Sequence, residues 1–141
     1  MKEITKDTSL KELNKSFLDS DKVSEDGFTK AINRLADKLT KANLWIYILK
    51  MLLERTEGVY GYEIKQSISD QFGFEPATVS GYVILYKMKR DKLVEIYWKD
   101  SKDGKPNRKY YKITDRGTEA MKQAKIYLQQ LVKEVFNVVE V

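Results

Sequence analysis

The basic residues of this chain are concentrated in one segment. Residues 76–113 hold ten lysines and arginines against four acidic side chains, whereas residues 1–75 hold twelve against thirteen and residues 114–141 hold four of each. The net charge of +5 therefore arises within residues 76–113. Tyrosines are interleaved with these cations, a combination typical of a surface that follows a phosphate backbone. The alternative is an ordinary solvated face, because lysines on exposed helices are common.

Two groups of residues in this segment are candidate nucleic-acid contacts. The first group lies on a predicted helix, whose early side chains would reach base edges in a major groove about 12 Å wide: Thr78, Ser80, Tyr82, Tyr86, Lys87, Lys89 and Arg90. The second lies on a predicted hairpin, whose long cations would reach phosphates or a minor groove: Lys102, Lys105, Arg108 and Lys109. Tyr62, on the preceding helix, completes the set. Both groups can also be explained without DNA binding. On the helix, Gly81 would permit close helix packing and Tyr82 would lie at the edge of the core. On the hairpin, the tip would be charged only for solubility, as hairpin tips often are.

Enzymatic chemistry is disfavoured by what the chain lacks. It has no cysteine and no histidine, which removes thiolate nucleophiles, imidazole bases and the usual ligands of transition metals. Carboxylates such as Glu63, Asp70 and Glu75 come with no convergent nucleophile and base. We therefore predict no catalytic residues, no metal and no cofactor.

The chain also lacks membrane signals. Its longest apolar run, residues 44–49, is far shorter than the roughly 20 residues that span a bilayer, and the charged N-terminus does not resemble a signal peptide. We therefore expect a cytoplasmic protein with no membrane contact.

The length of 141 residues corresponds to about one domain. Ser9 and Glu12 have capping-box spacing, which predicts a first helix that runs to about Asp19. After a polar connector, a second helix would carry the apolar stripe Phe28, Ile32, Leu35 and Leu39. A third helix, from Leu44 to about Arg55, is capped by Asn43 in this prediction and is apolar nearly all round, which is typical of a central core helix.

Two more helices and a hairpin follow. Gly58 is placed to end the third helix, and the fourth helix runs to Gly73 with four residues predicted to face inward: Tyr62, Ile64, Ile68 and Phe72. The fifth runs from Pro76 to about Asp91 and is predicted to bury four residues: Val79, Val83, Ile84 and Met88. Residues 93–99 and 108–113 then alternate as two strands around an Asp103-Gly104 turn.

The order of these elements predicts an α+β, mainly α, winged helix-turn-helix. A helical extension would occupy residues 1–42, the winged-helix domain residues 43–114, and a long C-terminal helix, capped by Thr114, residues 115–141.

The last helix carries a heptad-like apolar seam. Its members recur at intervals of three and four residues: Met121, Ala124, Leu128, Leu131, Val135 and Val138. Such a seam exceeds what one core contact needs, so a second copy of the chain is the simplest partner. The alternative is a helix that lies back on its own domain, against Phe17 or Leu35.

From about Trp45 to Ala120 the chain resembles the PadR-type winged-helix transcriptional regulators. Four motifs carry the resemblance: residues 60–64 (YGYEI), Tyr82 with Leu85 and Met88, residues 104–111 (GKPNRKYY), and residues 114–117 (TDRG). The chain departs from the family pattern at Lys92, where members usually have glycine, and at Gly81, where an apolar residue is common.

The resemblance implies a homodimeric repressor, clasped by its C-terminal helices, that binds operator DNA and releases it when a small molecule or another signal arrives. Two other functions remain open: a sequence-tolerant architectural DNA binder, and a winged helix used only for protein contacts.

Overall fold

A computed structural model describes residues 4–18, 27–99 and 108–138, with only the backbone described at residues 27–29 and 78–80. The elements run in this order: α1 (Leu10–Phe17), α2 (Gly27–Lys38), a 3-10 turn (Lys41–Asn43), α3 (Leu44–Glu54), β1 (Val59–Tyr60), α4 (Gly61–Phe72), α5 (Thr78–Arg90), β2 (Val94–Lys99), β3 (Arg108–Ile113) and α6 (Asp115–Val135). The predicted mainly helical α+β fold with a winged helix-turn-helix is confirmed.

The core is built around α3, as its continuous apolar sequence predicts. Six of its eleven residues are buried: Leu44, Tyr47, Ile48, Leu49, Met51 and Leu52. These side chains pack against Ile64 and Ile68 of α4, Leu85 and Met88 of α5, and the inner face of the sheet. Because α4 and α5 share this buried support, their exposed faces are held in a fixed relation.

The sheet has three antiparallel strands in the order β1-β3-β2. Strand β1, which the sequence did not predict, pairs Val59 with Tyr111 and Tyr60 with Tyr110. Gly58 does not end α3, which ends at Glu54; it lies in the turn before β1 with φ 101°, a conformation that suits glycine.

Helix α1 packs onto α4 of the helix-turn-helix. Ser9 accepts a hydrogen bond from the Glu12 amide at 3.1 Å, so the predicted N-cap of α1 is confirmed. Helix α1 ends at Phe17 rather than near Asp19, and the predicted connector lies outside the described residues. The buried side chain of Asn14 donates to the carbonyl of Phe72, the last residue of α4, at 2.8 Å. The apolar stripe predicted for the second helix faces the protein interior only in part, because Leu35 and Leu39 are exposed.

Several predicted burials and caps are wrong in detail. Tyr62 and Val83 are exposed, because Ile64 and Leu85 occupy the core-facing positions of their helices. Helix α5 begins at Thr78, two residues after Pro76. Asn43 precedes α3 but does not cap it; its amide donates instead to the Lys38 carbonyl at 2.6 Å.

Helix α6 is anchored at its N-terminus. The Thr114 hydroxyl accepts from the Gly117 amide at 3.0 Å, which confirms the predicted cap, and donates to the Lys92 carbonyl at 2.6 Å. A Cβ at Gly117 would collide with the Leu93 carbonyl oxygen, so the helix approaches the base of the hairpin as closely as glycine allows. Helix α6 ends at Val135, so Val138, the last residue of the predicted seam, lies beyond the helix.

Candidate nucleic-acid interface

Helix α5 carries most of the predicted contacts. Tyr82 and Tyr86 are 58% and 69% exposed, respectively, so the alternative that Tyr82 belongs to the core edge is not supported. The exposed cations Lys87, Lys89 and Arg90 occupy the last turn, where positive charge also complements the helix dipole. Thr78 and Ser80 lie in the first turn, and their side chains are outside the described residues.

A cleft separates the N-terminal halves of α4 and α5. It encloses about 390 Å³ and is lined by Tyr62, Gly81, Tyr82 and the buried Leu85, among others. A Cβ built at Gly81 would meet no atom within 4 Å. Glycine at this position therefore does not serve close helix packing. Tyr62, which is 76% exposed, stands at the cleft beside α5.

The two described wing cations lie on opposite faces of the hairpin. Lys109 pairs across the sheet with Trp98, and Arg108 pairs with Lys99, and successive residues of a strand point to opposite faces. The Lys109 ammonium lies 5.7 Å from the centroid of Tyr111 on the inner face. The other two predicted wing contacts, Lys102 and Lys105, lie outside the described residues.

The inner face of the sheet is close to α5. Burial raises the pKa of Tyr111, and the neighbouring phenol of Tyr82 raises it further. Helix α5 also contacts strand β2 of the hairpin, so the exposed face of α5 lies beside the wing.

The outer face of the sheet carries cations that the sequence analysis did not single out. Lys99 and Lys112 lie on this face together with Arg108, as the strand register shows. The alternation of RKYYKI would have placed Arg108 and Lys112 on one face, but the addition of Lys99 depends on the register.

The predicted seam of α6 is divided by the fold. Met121 packs against the protein's own core, whereas Leu128 and Leu131 are 36% and 37% exposed, respectively. Ala124 and Leu128 line an apolar groove of about 840 Å³ that α6 forms with Ile46 and Leu53 of α3. Val135 is exposed at the helix end, and Val138 is exposed beyond it. Residues off the seam are exposed as well: Ile126, Tyr127, Val132 and Phe136.

Within the residues that the structure describes, no helix is both long enough and apolar enough to cross a membrane.

This arrangement of helices, wing and C-terminal helix is shared with known regulators. Residues 48–123 match the model of the transcriptional regulator PadR-like family. A PadR-like transcriptional regulator from Bacillus cereus is 33% identical, over 72% of this chain and 95% of that chain, with a TM-score of 0.58. A PadR-like transcription factor from Bacteroides fragilis is 25% identical, over 74% and 97% of the two chains, with a TM-score of 0.60.

A PadR family regulator from Eggerthella lenta shares the fold at 21% identity, over 81% of this chain and 96% of that chain, with a TM-score of 0.65. No curated protein sequence matches the chain. The family match covers more than half of the chain, and the Bacillus cereus regulator is matched over nearly its whole length. The chain therefore belongs to the PadR-like family of transcriptional regulators, whose members are not enzymes.

Proposed function

We propose that this protein is a homodimeric, sequence-specific DNA-binding repressor of the cytoplasm, released from its operator by an effector as the family resemblance implies. The observation that carries the proposal is the exposed face of α5, which lies beside strand β2 of the wing. This face combines Tyr82 and Tyr86 with the exposed cations Lys87, Lys89 and Arg90. Of the three segments of the chain, only residues 76–113, which contain α5 and the hairpin, have excess positive charge.

The two parts of this surface would have different tasks. Early residues of α5, including Tyr82, would enter the major groove and contact base edges. The last-turn cations of α5 and the four wing residues predicted from the sequence, Lys102, Lys105, Arg108 and Lys109, would bind phosphates, which position the protein without reading sequence. Tyr62 at the start of α4 would contact the backbone next to the α5 site.

Dimerisation would supply twofold symmetry. The groove between α3 and α6 is almost entirely apolar, and exposed apolar side chains continue along α6 to Val135. A second α6 laid into this groove would cover Leu128 and Leu131, which a monomer leaves partly in water. Two winged-helix domains would then face two half-sites of one operator.

A salt titration tests the phosphate contacts. The variant Lys105→Ala/Arg108→Ala/Lys109→Ala is compared with wild type on cognate and scrambled duplexes by fluorescence anisotropy. The slope of log K against log salt is negative, and removal of a single phosphate contact makes it shallower by about 0.9. Since a dimer carries each change twice, the slope should become shallower by up to about 5 on both duplexes. A charge-matched variant of exposed lysines in the extension, Lys6→Ala/Lys38→Ala/Lys41→Ala, should keep the wild-type slope.

Base contacts are tested separately. Tyr82→Ala should lower the preference for the cognate over the scrambled duplex by about 1–3 kcal/mol while leaving the salt slope near its wild-type value. An unchanged preference would remove Tyr82 from the base-reading set.

The same titration separates the other two functions. Equal affinity of the wild type for cognate and scrambled duplexes would favour an architectural DNA binder. Absence of any duplex binding at low salt would favour a winged helix that binds proteins. A wing variant with the wild-type slope would mean that the basic hairpin is only a solvated surface.

A further inference from the structure

A row of tyrosine rings crosses the outer face of the sheet. It takes one ring from each strand: Tyr60 from β1, Tyr110 from the central β3 and Tyr97 from β2. The ring centroids are 5.8 Å apart for Tyr60 and Tyr110 and 5.6 Å apart for Tyr97 and Tyr110. The row is continued on the other side by Tyr62, whose centroid lies 6.1 Å from that of Tyr60.

Each of the three strand tyrosines has one cation over its ring. The guanidinium carbon of Arg108 lies 5.1 Å from the centroid of Tyr60. The Lys99 ammonium lies 5.2 Å from Tyr110, and the Lys112 ammonium 4.9 Å from Tyr97. All three distances are within the range of cation–π attraction.

Two cations face each other at one end of the row. Lys99 and Arg108 are directly opposed across the strands, whereas Lys112 is opposed by Glu95. Among the described residues, no carboxylate lies within 4.0 Å of Lys99 or Arg108. Directly opposed like charges destabilise a sheet. An anionic partner at this end of the face would relieve the repulsion.

The cation–π contact with Tyr60 also sets the direction of the Arg108 side chain. Tyr60 is the residue immediately before α4, so the guanidinium is held towards the start of α4 and the exposed Tyr62 rather than towards Lys109. A guanidinium carries five N–H donors, so one that is held over a ring by cation–π attraction can still donate to a phosphate.

We infer that Tyr60 is a positioning residue that holds the Arg108 guanidinium beside Tyr62, so that both contact the same stretch of duplex backbone. Arg108 would thereby contact a different part of the DNA backbone from Lys109, which lies on the inner face of the sheet. The inference rests on the proposed function, because its ligand is the operator backbone.

A double-mutant cycle tests the inference with the full-length chain and the operator duplex. Tyr60→Leu removes the ring, and we expect the affinity to fall about fivefold or more, since the Arg108 guanidinium of each protomer is then no longer held by cation–π attraction. Tyr60→Phe keeps the ring and should remain within about twofold of wild type. In the Arg108→Ala background, Tyr60→Leu should cause no further loss of affinity. Urea unfolding of each variant confirms that it is folded at the assay temperature.

Lys112→Ala is the matched control, because Lys112 makes the same kind of ring contact but faces Glu95. We expect this variant to bind within about twofold of wild type. Independent losses of affinity from Tyr60→Leu and Arg108→Ala, wild-type affinity of Tyr60→Leu, or an equal loss from Lys112→Ala would each overturn the positioning role. If the wild type binds no duplex at low salt, the proposed function fails instead, which distinguishes the two failures.

Discussion

The contact between α1 and α4 leads to a prediction about the helical extension. Asn14 is the buried polar residue of α1, and its amide hydrogen bond to the Phe72 carbonyl is 2.8 Å long. That carbonyl belongs to the last turn of α4, where no intrahelical partner remains for it. Gly73 follows with φ 72°, and a Cβ there would lie 2.6 Å from the Lys11 carbonyl oxygen. Helix α1 is therefore fitted closely to the turn between α4 and α5.

The variant Asn14→Ala removes the donor and leaves the carbonyl unpaired in a partly buried site. Loss of the hydrogen bond and desolvation of the orphaned acceptor together cost about 2 kcal/mol. Asn14→Asp should cost more, about 3 kcal/mol or above, because a carboxylate would face a carbonyl oxygen without a donor. Lys15→Ala, an exposed neighbour on the same helix, should stay within about 0.5 kcal/mol.

Urea unfolding followed by far-ultraviolet circular dichroism measures these differences. Stabilities of both Asn14 variants within about 0.5 kcal/mol of the Lys15→Ala control would refute the docking of α1 against the end of α4.

Three further predictions concern the dimer, alkaline pH and a strained turn. Leu128→Glu/Leu131→Glu should convert a dimer at micromolar concentration into a monomer in sedimentation velocity, because unpaired charges in an apolar interface are costly; a monomeric wild type would refute the interface. Burial raises the pKa of Tyr47 and Tyr111 above 10.0, so their contribution to stability is fully present below pH 10 and is lost as the pH rises through the folded-state values. Tyr111→Phe should therefore show a shallower alkaline loss of stability in urea titrations, and an unchanged pH profile would contradict the assignment. Lys92 has φ 62°, so Lys92→Gly should stabilise the protein by about 0.5–1 kcal/mol in thermal unfolding, and destabilisation would show that the lysine side chain contributes more than the strain costs.

Local patterns predicted the elements whose signals are local. The cap residues Ser9 and Thr114 hydrogen-bond to amides three residues later, which depends only on their own segment. The α3 core helix was likewise evident from its apolar composition. The hairpin strands were correct to within one residue because alternation and turn residues lie within a short stretch.

Features that depend on distant contacts could not be predicted in this way. Strand β1 has two residues, too few for alternation, and it exists because β3 pairs with it from about fifty positions away. Tyr62 and Val83 have apolar or aromatic side chains at helical spacing, and periodicity alone does not distinguish a core position from an exposed contact position. Lys92 has the left-handed backbone that glycine favours, a conformation that the residue type does not predict.

The candidate site shows the same difference between features with local signals and features that depend on distant contacts. The basic character of residues 76–113 and the exposed tyrosines of α5 were predicted from charge and spacing. The stacking of Arg108 on Tyr60 was not, because it joins residues of two strands whose pairing is visible only in the sheet register.

The central claim is that a dimer of this chain reads a DNA sequence through α5. Selection of bound fragments from genomic DNA by the full-length protein tests it most directly, since one experiment reports binding, specificity and site symmetry. We expect enrichment of a twofold-symmetric sequence whose half-sites are about one helical turn apart, roughly 10 base pairs, or a multiple of it. Recovery of fragments with no common sequence, or of no fragments even at low salt, would contradict the claim.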